Sequence, residues 1–226
     1  MPGPVIVSDM DGTLSTADTW RGVLAWIVAA HPSPAARRFV RVRLPRVALA
    51  KLGFYDKEAF RARWLDDQAT LLQGLPAEEL EAMGRWVANE HLWPARRGSA
   101  ISALQAAAME ARAVDPSTRI ILATGAYQPV GDAFAALIGA DLALGTPLEV
   151  LDGIATGVLA APTQSGEQKA AAVRSIAAGG EVIAAFGDTG ADIPLLELAR
   201  RPVAVAPDRD LRRAALARGW SIIDGD

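Results

Sequence analysis

The chain has 226 residues, 51% of them hydrophobic and 22% charged, which is the balance of a soluble globular protein with either one core or a core plus a smaller inserted module. A formal net charge of -3 gives no global signature of nucleic-acid binding, and the absence of cysteine excludes disulfides, thiolate metal sites and a cysteine nucleophile. Met1-Pro2-Gly3-Pro4 runs into the first apolar segment with no basic leader, and the longest apolar run of the first third, Val23 to Ala30, is too short to span a bilayer. These features lead us to expect a cytoplasmic monomer or homodimer with no membrane span and no nucleic-acid partner.

The first element is a strand, Val5-Ile6-Val7-Ser8, whose β-branched residues stop at Asp9-Met10-Asp11-Gly12-Thr13-Leu14. Two acids one residue apart at the end of a parallel strand stand where open α/β sheets bind ligands, although an ordinary Asp-Gly turn has the same look. From Thr16 to Pro94 the periodicity is helical. One helix, capped by Asp18 or Thr19, carries Trp20, Val23, Leu24, Ile27 and Val28 and ends at His31-Pro32. A second spans residues 34–52, is bent or divided near Pro45 and is closed by Gly53. A third covers 57–72, and a fourth covers 76–92 with Pro76 in its first turn.

After Pro94, helix and strand alternate: helix 98–113, strand 119–123, helix 129–138, strand 142–144, a hairpin of 148–151 and 156–159 turning at Asp152-Gly153, helix 167–178, strand 181–186, helix 193–199, strand 203–205, helix 208–217 and strand 220–223. Such alternation predicts an α/β fold with a Rossmann-like parallel sheet, helices on both faces and an all-helical block inserted after the first strand. The expected division is residues 1–15 and 95–226 for the core and 16–94 for a helical cap.

Two later strands also end in polar residues. Ile120-Ile121-Leu122-Ala123 leads to Thr124-Gly125, where a hydroxyl and a close-approaching backbone N–H would suit an anion, and where a plain helix cap is the alternative. Val182 to Phe186 leads to Gly187-Asp188-Thr189-Gly190-Ala191-Asp192, whose acids four residues apart suit a hard cation, Asp188 being otherwise a helix cap. Lys169, one of only three lysines, opens a helix between them; it is either solvated or a compact cation reaching toward carboxylates and a phosphate.

In order and spacing, Asp9-Met10-Asp11-Gly12-Thr13, Thr124-Gly125, Lys169 and Gly187-Asp188-Thr189-Gly190-Ala191-Asp192 resemble the haloacid dehalogenase superfamily phosphatases, in the branch that contains phosphoserine phosphatase. The resemblance implies a Mg²⁺-dependent phosphomonoester hydrolase acting on a small phosphorylated metabolite. It implies that Asp9 is the nucleophile, forming an aspartyl-phosphate, and that Asp11 is the acid and then the base. It further implies Mg²⁺ on Asp9, the Asp11 backbone carbonyl and Asp188, with Asp192 ligating through water or steadying the shell, and Thr124, Gly125 and Lys169 on the phosphoryl oxygens.

In that family the inserted helices close over the site and select the substrate. Asp18 lies seven residues after Asp11, where phosphoserine-specific relatives carry a glutamate, and a helix N-cap explains it equally well. Arg37, Arg38, Arg41, Arg43, Arg46 and Lys51 form a basic run in which Arg43 and Arg46 share one arc and are candidates for a substrate carboxylate or second phosphate; anionic lipid or solvent are the other readings. Trp20, Trp26, Trp64, Trp86 and Trp93 read as packing, and His31 and His91 as structural residues. A phosphoryl transferase using the same aspartyl-phosphate, or a silent metabolite-binding protein, are the competing functions.

Overall fold

The computed structural model describes residues 3–51, 57–163 and 166–225, with the backbone alone for 44–51 and 57–62. The strands are β1 (Val5–Ser8), β2 (Arg119–Tyr127), β3 (Leu142–Thr146), β4 (Leu148–Leu151), β5 (Ile154–Leu159), β6 (Val182–Gly187), β7 (Ala199–Val205) and β8 (Ser221–Ile223). Six of them form one sheet in the order β3-β2-β1-β6-β7-β8, and every neighbouring pair is parallel. β4 and β5 form a separate antiparallel hairpin.

Alternate residues of each strand feed two cores, as a sheet covered on both faces requires. Ile6, Ile120, Leu122, Ala184 and Phe186 face α5 (Gly98–Val114) and α6 (Gln128–Ile138), which bury Leu104, Ala108, Phe134 and Ile138 against them. Val5, Val7, Ile121, Ala123 and Ala185 face α7 (Glu167–Ala177), α8 (Ile193–Leu196) and α9 (Arg209–Arg218), through Val173, Leu195, Leu196, Leu211 and Ala215.

The chain enters β1 and then builds α1 (Thr19–Ala30), α2 (Pro34–Lys51), α3 (Lys57–Ala69) and α4 (Ala77–Trp86) before α5. Its outgoing and returning segments lie side by side: the Thr16 N–H donates to the Ala95 carbonyl, and the Arg97 N–H to Leu14. The apolar cluster under the sheet runs on into the inserted helices through Leu14, Val23, Ile27, Leu80, Met83 and Val87. Gly84 of α4 lies against the Pro129 carbonyl so closely that a Cβ there would stand 2.2 Å from its oxygen. The hairpin also docks on the insert, exchanging backbone hydrogen bonds between Ala155 and Gly74 and Leu75.

Local details differ from the sequence expectation where tertiary pairing overrides local pattern. β7 begins at Ala199, inside the expected helix 193–199, because its first residues pair with β6 while the helix stops after one turn. β2 continues past Ala123 to Tyr127 through an irregularity in its pairing with β3. α2 passes through Pro45 undivided, and Gly53 lies outside the described residues. Pro76 is the N-cap of α4 rather than a first-turn residue, and that helix closes through a wide π turn at Val87–Leu92.

Candidate active site

The sheet order places β1 between β2 and β6. From β1 the chain steps outward to β2 and β3, then returns across β1 to β6, so the strand order reverses at the C-terminal end of β1, where open α/β sheets form a crevice. Asp9 follows β1, Thr124 and Gly125 lie late in β2, and Asp188 follows β6.

Asp9 is buried, and its N–H continues the ladder to the Phe186 carbonyl. Lys169 Nζ, buried at the start of α7, donates to Asp9 Oδ1 at 2.5 Å and to Asp192 Oδ1 at 2.7 Å. Asp192 Oδ2 accepts from the Thr189 N–H and hydroxyl, a capping box that aims the remaining carboxylate oxygen at the lysine. Thr13 Oγ1 lies 3.1 Å from Asp9 Oδ2 and 3.0 Å from Asp188 Oδ1. A hydroxyl has a single proton, so both contacts are hydrogen bonds only if one of the two carboxyls is itself protonated.

The turn after Asp11 is made by Gly12 at φ +86°, where a Cβ would stand 2.1 Å from Asp188 Oδ2; only glycine lets the two loops meet so closely. Arg97 Nε donates to the Gly12 carbonyl at 2.9 Å and fixes the loop from the far side. Asp11 does not join the other acids through a hydrogen bond. Its carboxylate accepts from the Thr19 hydroxyl at 2.5 Å and from the Thr19 N–H at 3.3 and 3.4 Å, at the start of α1.

One oxygen from each of Asp9, Asp188 and Asp192 lies within 4.8 Å of the others. Three carboxylates against one lysine leave a deficit of two positive charges in a buried cleft, and the donors are hard oxygens, so the set fits a divalent cation such as Mg²⁺. The titration of the metal-free site reflects that deficit. Burial pushes Asp11 up to about 7, opposed by the Thr19 hydroxyl and assisted by the charges of Asp9 and Asp18. Burial pushes Asp188 up to about 8, with Asp9 and Asp192 adding to it. Burial also raises Asp9, against the pull of Lys169. Burial opposes ionisation of Asp192 too, but Lys169 and Thr189 outweigh it and the group ends below its usual value. Lys169 keeps its proton because Asp192 and Asp9 outweigh the burial that disfavours its charge.

A stability profile follows. In the unfolded chain Asp11 and Asp188 ionise near 3.8, whereas the folded protein holds their protons to about 7 and about 8. Between those limits the folded state binds more protons, so metal-free stability falls as pH rises, by up to about 1.4 kcal/mol per pH unit for each group. Asp192 lies outside this window, since its downward shift contributes stability that is lost only in acid. Thermal unfolding of the metal-free protein should therefore give a Tm that declines from weakly acidic to weakly alkaline pH, and excess Mg²⁺ should restore it at the alkaline end. A flat metal-free profile, or no Mg²⁺ effect at its alkaline end, would contradict the charge deficit.

The sequence candidates divide into two groups. Asp9, Lys169 and Asp192 are joined by direct contacts, and Asp188 is linked to Asp9 through Thr13. Thr124 is buried with its hydroxyl accepting from the Ala126 N–H, and the Gly125 carbonyl accepts from Thr146. Among the cap candidates, Asp18 is half-exposed and paired with Arg21 at 2.9 Å, and Arg43 is paired with Asp67 at 2.7 Å. The Arg46 side chain lies outside the described residues. Trp20 and Phe39 pack edge-on to Trp64, as expected for core aromatics. Sequence reasoning passed over the contacts of Thr13, Thr19 and Arg97: Thr13 stood inside the motif without a role, Thr19 read as a helix cap, and nothing local marks Arg97.

Residues 6–197 match the family model described as haloacid dehalogenase-like hydrolase. Over 112 residues, 46% of this chain, the sequence is 42% identical to the inhibition of morphological differentiation protein of Streptomyces azureus, covering 39% of that protein. Over 115 residues, 49% of this chain, it is 36% identical to phosphoserine phosphatase SerB1 of Mycobacterium tuberculosis, covering 37% of it. The chain thus spans less than half the length of either relative. A crystal structure of a protein of unknown function from Bordetella pertussis Tohama I shares the fold at TM-score 0.80 and 21% identity, over 99% of each chain.

Proposed function

The chain belongs to the haloacid dehalogenase-like hydrolases, with phosphoserine phosphatase among its relatives, and from that premise we propose that it hydrolyses phosphate monoesters of a small metabolite through an aspartyl-phosphate on Asp9. The observation that carries this reading is the buried Asp9–Lys169–Asp192 array at the strand-order reversal, with Asp188 beside it and Asp11 two residues along the same loop.

In the first step an Asp9 carboxylate oxygen bonds to phosphorus as the bond from phosphorus to the ester oxygen breaks, and Asp11 gives its proton to the departing alkoxide. In the second, Asp11 takes a proton from water as its oxygen bonds to phosphorus; the Asp9 acyl-phosphate bond breaks, and inorganic phosphate leaves with Asp9 restored. A carboxyl near neutrality suits both duties, and burial holds Asp11 at about 7. Lys169 anchors Asp9, and with Thr124 and the Gly125 N–H it meets the remaining phosphoryl oxygens. Asp9, Asp188, Asp192 and the Asp11 carbonyl would hold Mg²⁺, which when bound offsets the repulsion between carboxylates and phosphate.

The same reading takes residues 1–15 and 95–226 as the catalytic core and 16–94 as the cap that selects the substrate. Asp18 and Arg43 would have to leave Arg21 and Asp67 to meet a substrate, and for partly exposed pairs the cost of such an exchange is small. Among the described residues no helix is long and apolar enough to cross a membrane. Purified protein should release nitrophenol from 4-nitrophenyl phosphate only with Mg²⁺, and a panel of phosphorylated metabolites including phosphoserine should identify a preferred ester. No hydrolysis of any of these with any divalent cation would refute the proposal.

A further inference from the structure

The inserted helices reach the reacting centre at a point the acid array does not use. Asp11 projects from a glycine-containing turn, and its carboxylate is held by the first residue of α1, with the Thr19 hydroxyl at 2.5 Å from Oδ1 and the Thr19 N–H shared between Oδ1 at 3.3 Å and Oδ2 at 3.4 Å. Thr19 is 3% exposed. Asp18 occupies the N-cap of α1 but does not cap it; its carboxylate turns outward to Arg21, and Asp11, arriving from the sheet, takes the helix N–H instead.

The peptide that carries Thr19 is held on both sides. His91 Nε2 lies 3.1 Å from the Asp18 carbonyl, and Gln68 Nε2 donates to the Trp20 carbonyl at 2.9 Å. Gly22, one turn on, lies against the His91 ring and Val87 so closely that a Cβ would stand 2.7 Å from the ring. Two segments of the insert, α3 and the turn Val87–Leu92, therefore hold the backbone that carries this hydroxyl. A carboxyl must present a chosen oxygen to the leaving group to act as an acid, and a rotating side chain in a loop would spend little time in that orientation.

We propose that Thr19 is a positioning residue for Asp11: its hydroxyl engages Oδ1 and its N–H is shared between the two carboxyl oxygens, and together they fix the rotation of the carboxyl that carries the transferred proton. This rests on Asp11 being the acid of the proposed reaction. Thr19 touches neither substrate nor phosphorus, and its effect passes wholly through Asp11.

Loss of a correctly placed acid matters for esters with poor leaving groups and little for those that leave unaided, and kcat/KM reports the step in which the leaving group departs. Thr19→Val removes the hydroxyl at nearly constant shape. With Mg²⁺ present, its kcat/KM should fall at least about tenfold on phenyl phosphate and less than about threefold on 4-nitrophenyl phosphate, while Thr19→Ser stays within about threefold of wild type on both. Thr19→Ala, which introduces no misplaced methyl, should repeat the valine pattern. In an Asp11→Asn background, Thr19→Val should add no further loss on phenyl phosphate. Equal losses on both esters, no loss on either, or full additivity with Asp11→Asn would overturn the role of Thr19 and leave the proposed hydrolysis standing. A wild-type protein inactive on both esters would instead remove the hydrolysis itself, and the role with it.

Discussion

Asp9→Asn is expected to lower Mg²⁺-dependent hydrolysis of 4-nitrophenyl phosphate by at least about 10⁴-fold, the scale seen when an enzyme loses its nucleophile. The amide nearly matches the carboxylate in shape, and its oxygen can still accept from Lys169 or Thr13, so the fold should persist. Stability should move by only about 1 kcal/mol, because loss of one charged hydrogen bond is offset by relief of a carboxylate whose ionisation burial already disfavours. Lys169 has a second partner, Asp192 at 2.7 Å, that the substitution leaves untouched. Steady-state rates together with the thermal midpoint test both halves. A folded variant with substantial activity would place the nucleophile elsewhere.

Lys169→Met should show its largest effect on stability. Lys169 is the cation bonded to both Asp9 and Asp192, with Asp188 within reach of the same charges, and its side chain is 8% exposed. Removing one partner of a buried ionic network strands the others, at a cost of about 3–5 kcal/mol. The cost depends on pH in a definite direction. At weakly alkaline pH the stranded carboxylates are ionised and the loss is largest; toward pH 5 Asp188, which burial holds up to about 8, takes up a proton and the loss shrinks, and the upward shift of Asp9 acts in the same direction. Mg²⁺ should recover part of it at alkaline pH. Activity should also fall by about 10²–10³-fold, as when one charge-stabilising donor is removed from a reaction site. Denaturant unfolding at the two pH values is the measurement, and an equal loss at both would assign Lys169 a packing role.

These two variants bear on residues that were legible in the sequence, and the reason is local. Asp9 and Asp188 each stand one residue beyond an apolar run, with Ser8 and Gly187 between, so the end of the run marks them. Asp11 follows two residues on, just before Gly12, and Asp192 follows four residues on, across Gly190. Lys169 stands out because lysine is scarce in this chain, but a helix start does not record whether it is solvated or buried. Thr19 shows the opposite case. As a threonine at a helix start it satisfies every local expectation of a cap, and local pattern therefore hides its contact with a carboxylate eight residues earlier.

The element boundaries show the same division. The hairpin turn at Asp152-Gly153 was readable because both residues take positive φ, 50° and 79°, as Asp-Gly favours. The start of β7 at Ala199 was not, since Arg200 and Arg201 lack strand alternation and are held by pairing to β6.

By itself the sequence determined the α/β class, the insertion after the first strand and the set of acids, because apolar period, turn residues and strand-end positions are all recorded within a few residues of one another. Only the tertiary structure decided that β1 lies between β2 and β6, that Lys169 spans 160 residues of chain to reach Asp9, and that α1 seizes Asp11. Strand order and register follow from which apolar faces pack together across the whole molecule, and that balance is not written at any single position.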